Sequence, residues 1–128
     1  MPEEVVLLHG FSGTHHAWDG VTALLDRERY TPHALDLPGH GERAHEVPVT
    51  FASCVDSVLA NAPDEFVVGG YSLGGRIAQH VALAAPDRVK ALLLVSTSAG
   101  IEDARERAAR READERLARC LLYTSPSP

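Results

Sequence analysis

GGYSLGGRIAQHV occupies residues 69–81. Ser72 stands between Gly70 and Gly74. An apolar run (Phe66, Val67, Val68) precedes it, and a helical pattern continues to Ala85 before Pro86. A strand that passes into a helix through one residue strains the backbone there and crowds the positions two residues either side, which suits glycine. The turn also raises the Ser72 hydroxyl above the carboxyl end of the strand, at the positive end of the helix. The stretch therefore predicts a strand–turn–helix elbow that presents Ser72 as a nucleophile.

The pattern extends on both sides. Residues 3–10, EEVVLLHG, form a short apolar run closed by glycine and predict a buried parallel strand. From His16 to Asp26, the residues Trp18, Val21, Leu24 and Leu25 share a helical face, with Thr14 placed to cap it. Residues 31–36, TPHALD, predict a second strand and lead into the loop PGHGER. Phe51, Cys54, Val55, Val58 and Leu59 repeat at helical spacing before Pro63, and Val89–Val95 predict a last strand. Strands alternating with helices imply right-handed crossovers and a parallel sheet, an α/β fold.

Composition restricts the function. The chain has 128 residues, 45% of them hydrophobic, and a net charge of −6. That balance argues against nucleic acid and anionic membranes as partners, since both reward a basic surface. Two cysteines, Cys54 and Cys120, are too few for a disulfide framework and fit a reducing compartment. With no apolar run near eighteen residues and no signal-like start, the expectation is a cytoplasmic protein.

The HGFSG stretch, residues 9–13, follows the first strand. An oxyanion hole in this architecture takes one amide from the residue after the nucleophile and one from such a loop, here Leu73 and Phe11. Arg76 lies four residues beyond Ser72, one turn away on the same face, where a guanidinium can grip a carboxylate. Tyr71 borders the same place as a candidate hydrogen-bond donor. His9 reads as a residue that structures its loop. His15 and His16 lack further ligands at metal spacing, His40 and His45 lie in a loop, and Cys54 falls on the apolar face of its helix.

HGFSG, LDLPGHG and GYSLGG, in that order, resemble the α/β-hydrolase fold, a three-layer αβα architecture around a parallel sheet. GYSLGGR followed by SAGIEDARERAARREADERLA is similar, more narrowly, to 2-succinyl-6-hydroxy-2,4-cyclohexadiene-1-carboxylate synthase of menaquinone biosynthesis. That resemblance runs from about Val5 to Arg119. It implies a lyase that eliminates pyruvate from a small anionic substrate without metal or organic cofactor. Arg76 and Arg110 would hold the carboxylates, and Ser72 would work with a histidine and an aspartate. The alternatives are a serine esterase or C–C hydrolase, and a non-catalytic binding module of the same fold.

The domain reading follows from these matches. Residues 1–100 are expected to be the N-terminal part of the hydrolase core, 101–119 the start of a helical cap, and 120–128 a non-native tail. Twelve of the 18 residues from Glu102 to Arg119 are charged, which reads as a solvated helix. In the resembled family the triad acid and histidine follow the cap. The expectation is therefore a truncated chain lacking both, marginally stable, with an open sheet edge and negligible synthase turnover.

Overall fold

The computed structural model describes residues 1–124, with side chains through Arg119. Four strands, β1 (Glu3–Leu8), β2 (Tyr30–Leu35), β3 (Phe66–Tyr71) and β4 (Val89–Val95), form one sheet in the order β2-β1-β3-β4. Every pairing is parallel. The chain steps from β1 outward to β2, then returns past β1 to β3. That reversal makes β1 and β3 the switch point, where loops at the carboxyl ends of neighbouring strands diverge and leave a crevice. HGFSG follows β1 and the Ser72 turn follows β3, so both stretches meet at that crevice.

Alternation along β1 builds two cores. Val6 and Leu8 face one side, with Phe66, Val68, Cys54, Val55, Val58, Ile77, Ala78 and Val81. These come from β3 and from α2 (Phe51–Asn61) and α3 (Leu73–Ala84), which cover that face. Val5 and Leu7 face the other side with Trp18. Burying each such side chain contributes about 1.5–3 kcal/mol before the entropy of ordering it.

Local chemistry sets the helix ends. Thr50 and Ser53 form a reciprocal capping box that starts α2. At its other end the Arg88 guanidinium donates to the carbonyl of Leu59, in the last turn, and to those of Ala62, Pro63 and Asp64 in the segment that follows. The expected helix from His16 to Asp26 is much shorter. A 3-10 turn, His15–Trp18, leads into one turn of α1 (Asp19–Thr22), and only Trp18 is buried. Val21 is exposed and Leu24 is 88% exposed, so the apolar face has too little to pack on, and Gly20 weakens the helix from within.

β4 is an edge strand among the described residues, and Leu92, Leu93, Leu94 and Val95 are 38–50% exposed. The chain divides into two compact units, Met1–Ser98 and Ala99–Pro128. The second holds α4 (Ala104–Thr124), whose first amides, at Arg105 and Glu106, donate to the Asp103 carboxylate. The stretch read as a non-native tail begins at Cys120. Its backbone through Thr124 belongs to α4, and 125–128 lie outside the described residues. No helix among the described residues is long and apolar enough to cross a membrane.

The Arg88 clamp separates a buried role from a surface one. Arg88→Leu is expected to cost about 2 kcal/mol in urea unfolding, since it strands several carbonyls. Lys90→Gln removes only an exposed pair with Glu3 and should cost less than about 0.5 kcal/mol. Equal losses would contradict the clamp.

Candidate active site

The elbow is formed by close packing of backbone on backbone. Ser72 has φ 52° and ψ −112°, and its amide donates to the Val95 carbonyl at 2.9 Å. A Cβ at Gly74 would lie 2.3 Å from the Leu8 carbonyl oxygen and 2.5 Å from that of His9. One at Gly70 would lie 2.2 Å from the Gly74 backbone. The first turn of α3 therefore rests directly on the carboxyl end of β1, with no side chain between.

That contact brings the first loop to Ser72. Leu73 is the first residue of α3, so its amide is one that the helix leaves without an internal acceptor. The Phe11 amide makes no hydrogen bond among the described residues, and the Phe11 ring is 60% exposed, edge-on to His40 at 6.2 Å. Tyr71 is half exposed and lies against Gly10, its Cδ1 3.1 Å from where a Cβ would stand. Arg76 is half-buried, and its guanidinium sits over the Phe51 ring at 5.6 Å without a carboxylate among the described residues. His80 packs on the same ring at 4.7 Å.

Arg110 is held differently. It lies on α4 in the other unit, where its Nε donates to Asp114 at 3.0 Å, four residues on. Both groups are exposed, so the pair is an ordinary helix-surface contact. Among the described residues no histidine or carboxylate hydrogen-bonds the Ser72 hydroxyl. Nor do three or more His, Cys, Asp or Glu side chains come together as a metal would require.

Two polar links behind the loop carry little sequence signal. His9 is fully buried; its Nε2 accepts the Leu37 amide at 3.1 Å, and its Nδ1 lies 2.7 Å from the Gly10 carbonyl. An amide only donates, so Nε2 carries no proton and Nδ1–H donates to Gly10. Burial, chiefly, holds His9 below its ordinary value, which fits a neutral ring.

Asp36, buried at the end of β2, accepts the His15 amide at 2.7 Å, the His15 Nδ1 at 2.9 Å and the Glu42 amide at 3.0 Å. Burial alone would raise its carboxyl. The Glu42 and His15 amides and the His15 ring outweigh burial and bring it down to about 2. The hydrogen bond to Asp36 raises His15 in turn. A cavity of about 410 Å³ lies here, lined by Asp36, His15, Glu42, Arg43 and Glu46 among others; Ser72 is not part of its wall.

With the elbow, the HGFSG loop and the switch-point sheet in place, comparison with known proteins identifies the family. Residues 4–116 match the family model for the alpha/beta hydrolase fold. The chain belongs to the α/β-hydrolase fold family. It is 39% identical over 95 residues to a pimeloyl-[acyl-carrier protein] methyl ester esterase of Vibrio campbellii, covering 74% of this chain and 37% of that protein. It is 40% identical over 98 residues to the enzyme of the same name from Pseudoalteromonas atlantica, covering 73% and 36%. This α/β-hydrolase chain thus spans little more than a third of the length of these curated relatives. Among solved structures, the thioesterase domain from the curacin biosynthetic pathway superposes with a TM-score of 0.69 at 28% identity, over 99% of this chain and 47% of that one.

These findings overturn the narrower resemblance. The curated relatives are esterases by name, so the chain is not assigned as the menaquinone synthase, nor as a lyase. HGFSG, LDLPGHG and GYSLGG belong to the whole fold and do not discriminate. The signals that pointed to the synthase were Arg76 and the arginine-rich stretch. In that stretch Arg110 pairs with Asp114, and Arg107 donates to the carbonyls of Ile101 and Glu102. Arginines consumed by their own helix say nothing about a substrate.

The Asp36–His15 pair has a defined pH signature. Asp36 is depressed, so its contribution is full above 3.8 and is lost as pH falls toward about 2. His15 is raised, so its share is full below 6.5 and fades as pH rises through the higher folded value. Asp36→Asn should therefore cost most between these limits, roughly 1–2 kcal/mol by urea unfolding, with the gap to wild type closing below about pH 3. A gap independent of pH would show that the charge plays no part.

Proposed function

We propose that the whole protein is a serine carboxylic ester hydrolase that works through a covalent acyl-enzyme on Ser72. The observation that carries this is the meeting, at one crevice, of a strained nucleophile and two amides free to donate. Ser72 attacks the ester carbonyl, and the negative charge forming on its oxygen is met by the Phe11 and Leu73 amides. The alcohol leaves, water attacks the acyl-serine, and the free acid departs. A hydroxyl needs a base to take its proton. That role falls to a histidine outside the described residues, oriented by a carboxylate, as the family's motif order implies.

The esterases among the relatives support a hydrolytic reading, and Arg76 supports a substrate class. Neither α2 nor α3 has an acidic residue in its first turn. The positive helix ends and the Arg76 guanidinium stand near Ser72 with no anion among the described residues to balance them. An ester that also bears a carboxylate or other anionic group would complete that balance. Tyr71, half exposed at the rim, is placed to donate to the same substrate. Arg110 has no part in this proposal.

Two measurements test the reading on the full-length protein. A fluorophosphonate probe should label wild type and not Ser72→Ala, and Ser72→Ala should lose more than about 10³-fold in ester hydrolysis. An unlabelled wild type would make the chain a binding module instead. Arg76→Ala should lower the preference for the monoester of a dicarboxylic acid over a neutral ester by about 10- to 100-fold. An unchanged preference would remove the anionic substrate class and leave the esterase in place.

A further inference from the structure

We propose that His9 is a positioning residue for ester hydrolysis, acting through the Gly10–Phe11 peptide to aim the Phe11 amide at the ester oxygen. The inference rests on the Ser72 hydrolase reading above. In a trans peptide the carbonyl of one residue and the N–H of the next lie in one plane and point in opposite directions. The Gly10 carbonyl and the Phe11 N–H share such a plane, so whatever holds one oxygen also sets the direction of the other group.

Two donors hold that oxygen. His9 Nδ1–H reaches Gly10 O at 2.7 Å, and the Gly13 amide reaches it at 3.0 Å. The Gly13 bond closes only a short local turn. His9 ties the peptide to the rest of the fold, since its Nε2 accepts the Leu37 amide from the segment after β2. The ring is fully buried, with the His40 ring tilted against it at 4.9 Å. Phe11 has no such support of its own, because its side chain is mostly exposed. Orientation of the amide therefore comes from the hydrogen bonds and not from packing.

The arrangement requires a neutral ring. Protonated, both nitrogens would be donors, and Nε2–H would face the Leu37 N–H. Around the ring, burial favours the neutral form, with His40 and His15 on the same side, and outweighs the Gly10 hydrogen bond and Asp36, which favour the cation. Protonation of His9 would release Leu37 and free the peptide to turn.

Kinetics of the full-length protein on an ester separate this role from simple packing. His9→Leu fills the space without a donor, whereas His9→Asn restores a side-chain N–H near the position of Nδ1. His9→Leu should lose about 10²-fold in kcat with KM within about 3-fold, and His9→Asn should recover at least about 10-fold of that loss. Equal kcat in the two variants, or a His9→Leu kcat within about 3-fold of wild type, overturns the proposal. If His9→Leu does not fold, the ring nitrogens of the wild type decide by 15N NMR. The expected result is the Nδ1–H tautomer, still neutral where an ordinary histidine is half charged. An Nε2–H tautomer, or a ring that charges at the ordinary histidine value, overturns it. A wild type with no hydrolysis and no probe labelling removes the Ser72 reading and this one together; an active wild type with unaffected variants removes only this one.

Discussion

The carboxyl edge of the sheet depends on how closely the first turn of α3 can approach the end of β1. Between Gly74 and the carbonyls of Leu8 and His9 there is room for hydrogen and nothing larger. That separation lets the helix begin directly above β1, turns Ser72 into a strained conformation at its tip, and brings the Leu73 amide level with the HGFSG loop. A side chain at Gly74 would push α3 off the sheet and carry Ser72 away from the loop. Strain at a single residue persists only where its surroundings over-determine it. Here they are Val6, Leu8, Val68, Ile77, Ala78 and Val81, all buried in one core.

Close backbone packing leaves polar groups that must be satisfied nearby, and two histidines do this behind the first loop. His9 joins the loop after β1 to the segment after β2 through neutral hydrogen bonds. His15 joins the same two segments through a charged contact with Asp36. The two links differ in their response to acid. Protonation breaks the His9 link by replacing an acceptor with a donor, whereas the Asp36 link survives until the carboxylate itself is protonated.

The fold was legible because strands and helices bury faces of different period. The β3–elbow–α3 unit, β4 and α2 match their spacing within a residue or two. The His16–Asp26 helix was not, because its periodicity assumes a surface to cover, and Val21 and Leu24 have none here. At the site, GxSxG was informative since glycine is demanded there by contact distances. Arg76 and Arg110 show the limit of that logic. Both are arginines at plausible spacing, yet Arg110 pairs with a carboxylate four residues away and Arg76 has none among the described residues. Which arginine is free depends on its neighbours in space. The Asp36–His15 and His9–Leu37 links lie 21 and 28 residues apart in sequence, beyond the reach of any local pattern.

Ser72 is supported unequally on its two sides. Toward β1 it rests on a closed core and on backbone contacts that cannot yield. Toward β4 its amide is held by the Val95 carbonyl, at the end of a strand whose leucines are 40–50% exposed. The Val95 carbonyl thus ties the Ser72 peptide to β4, while Gly74 is fixed on β1 by contact distances and the first loop by its link to the segment after β2. The turn at Ser72 is therefore set from both neighbours of β3, by packing on one side and by a hydrogen bond on the other.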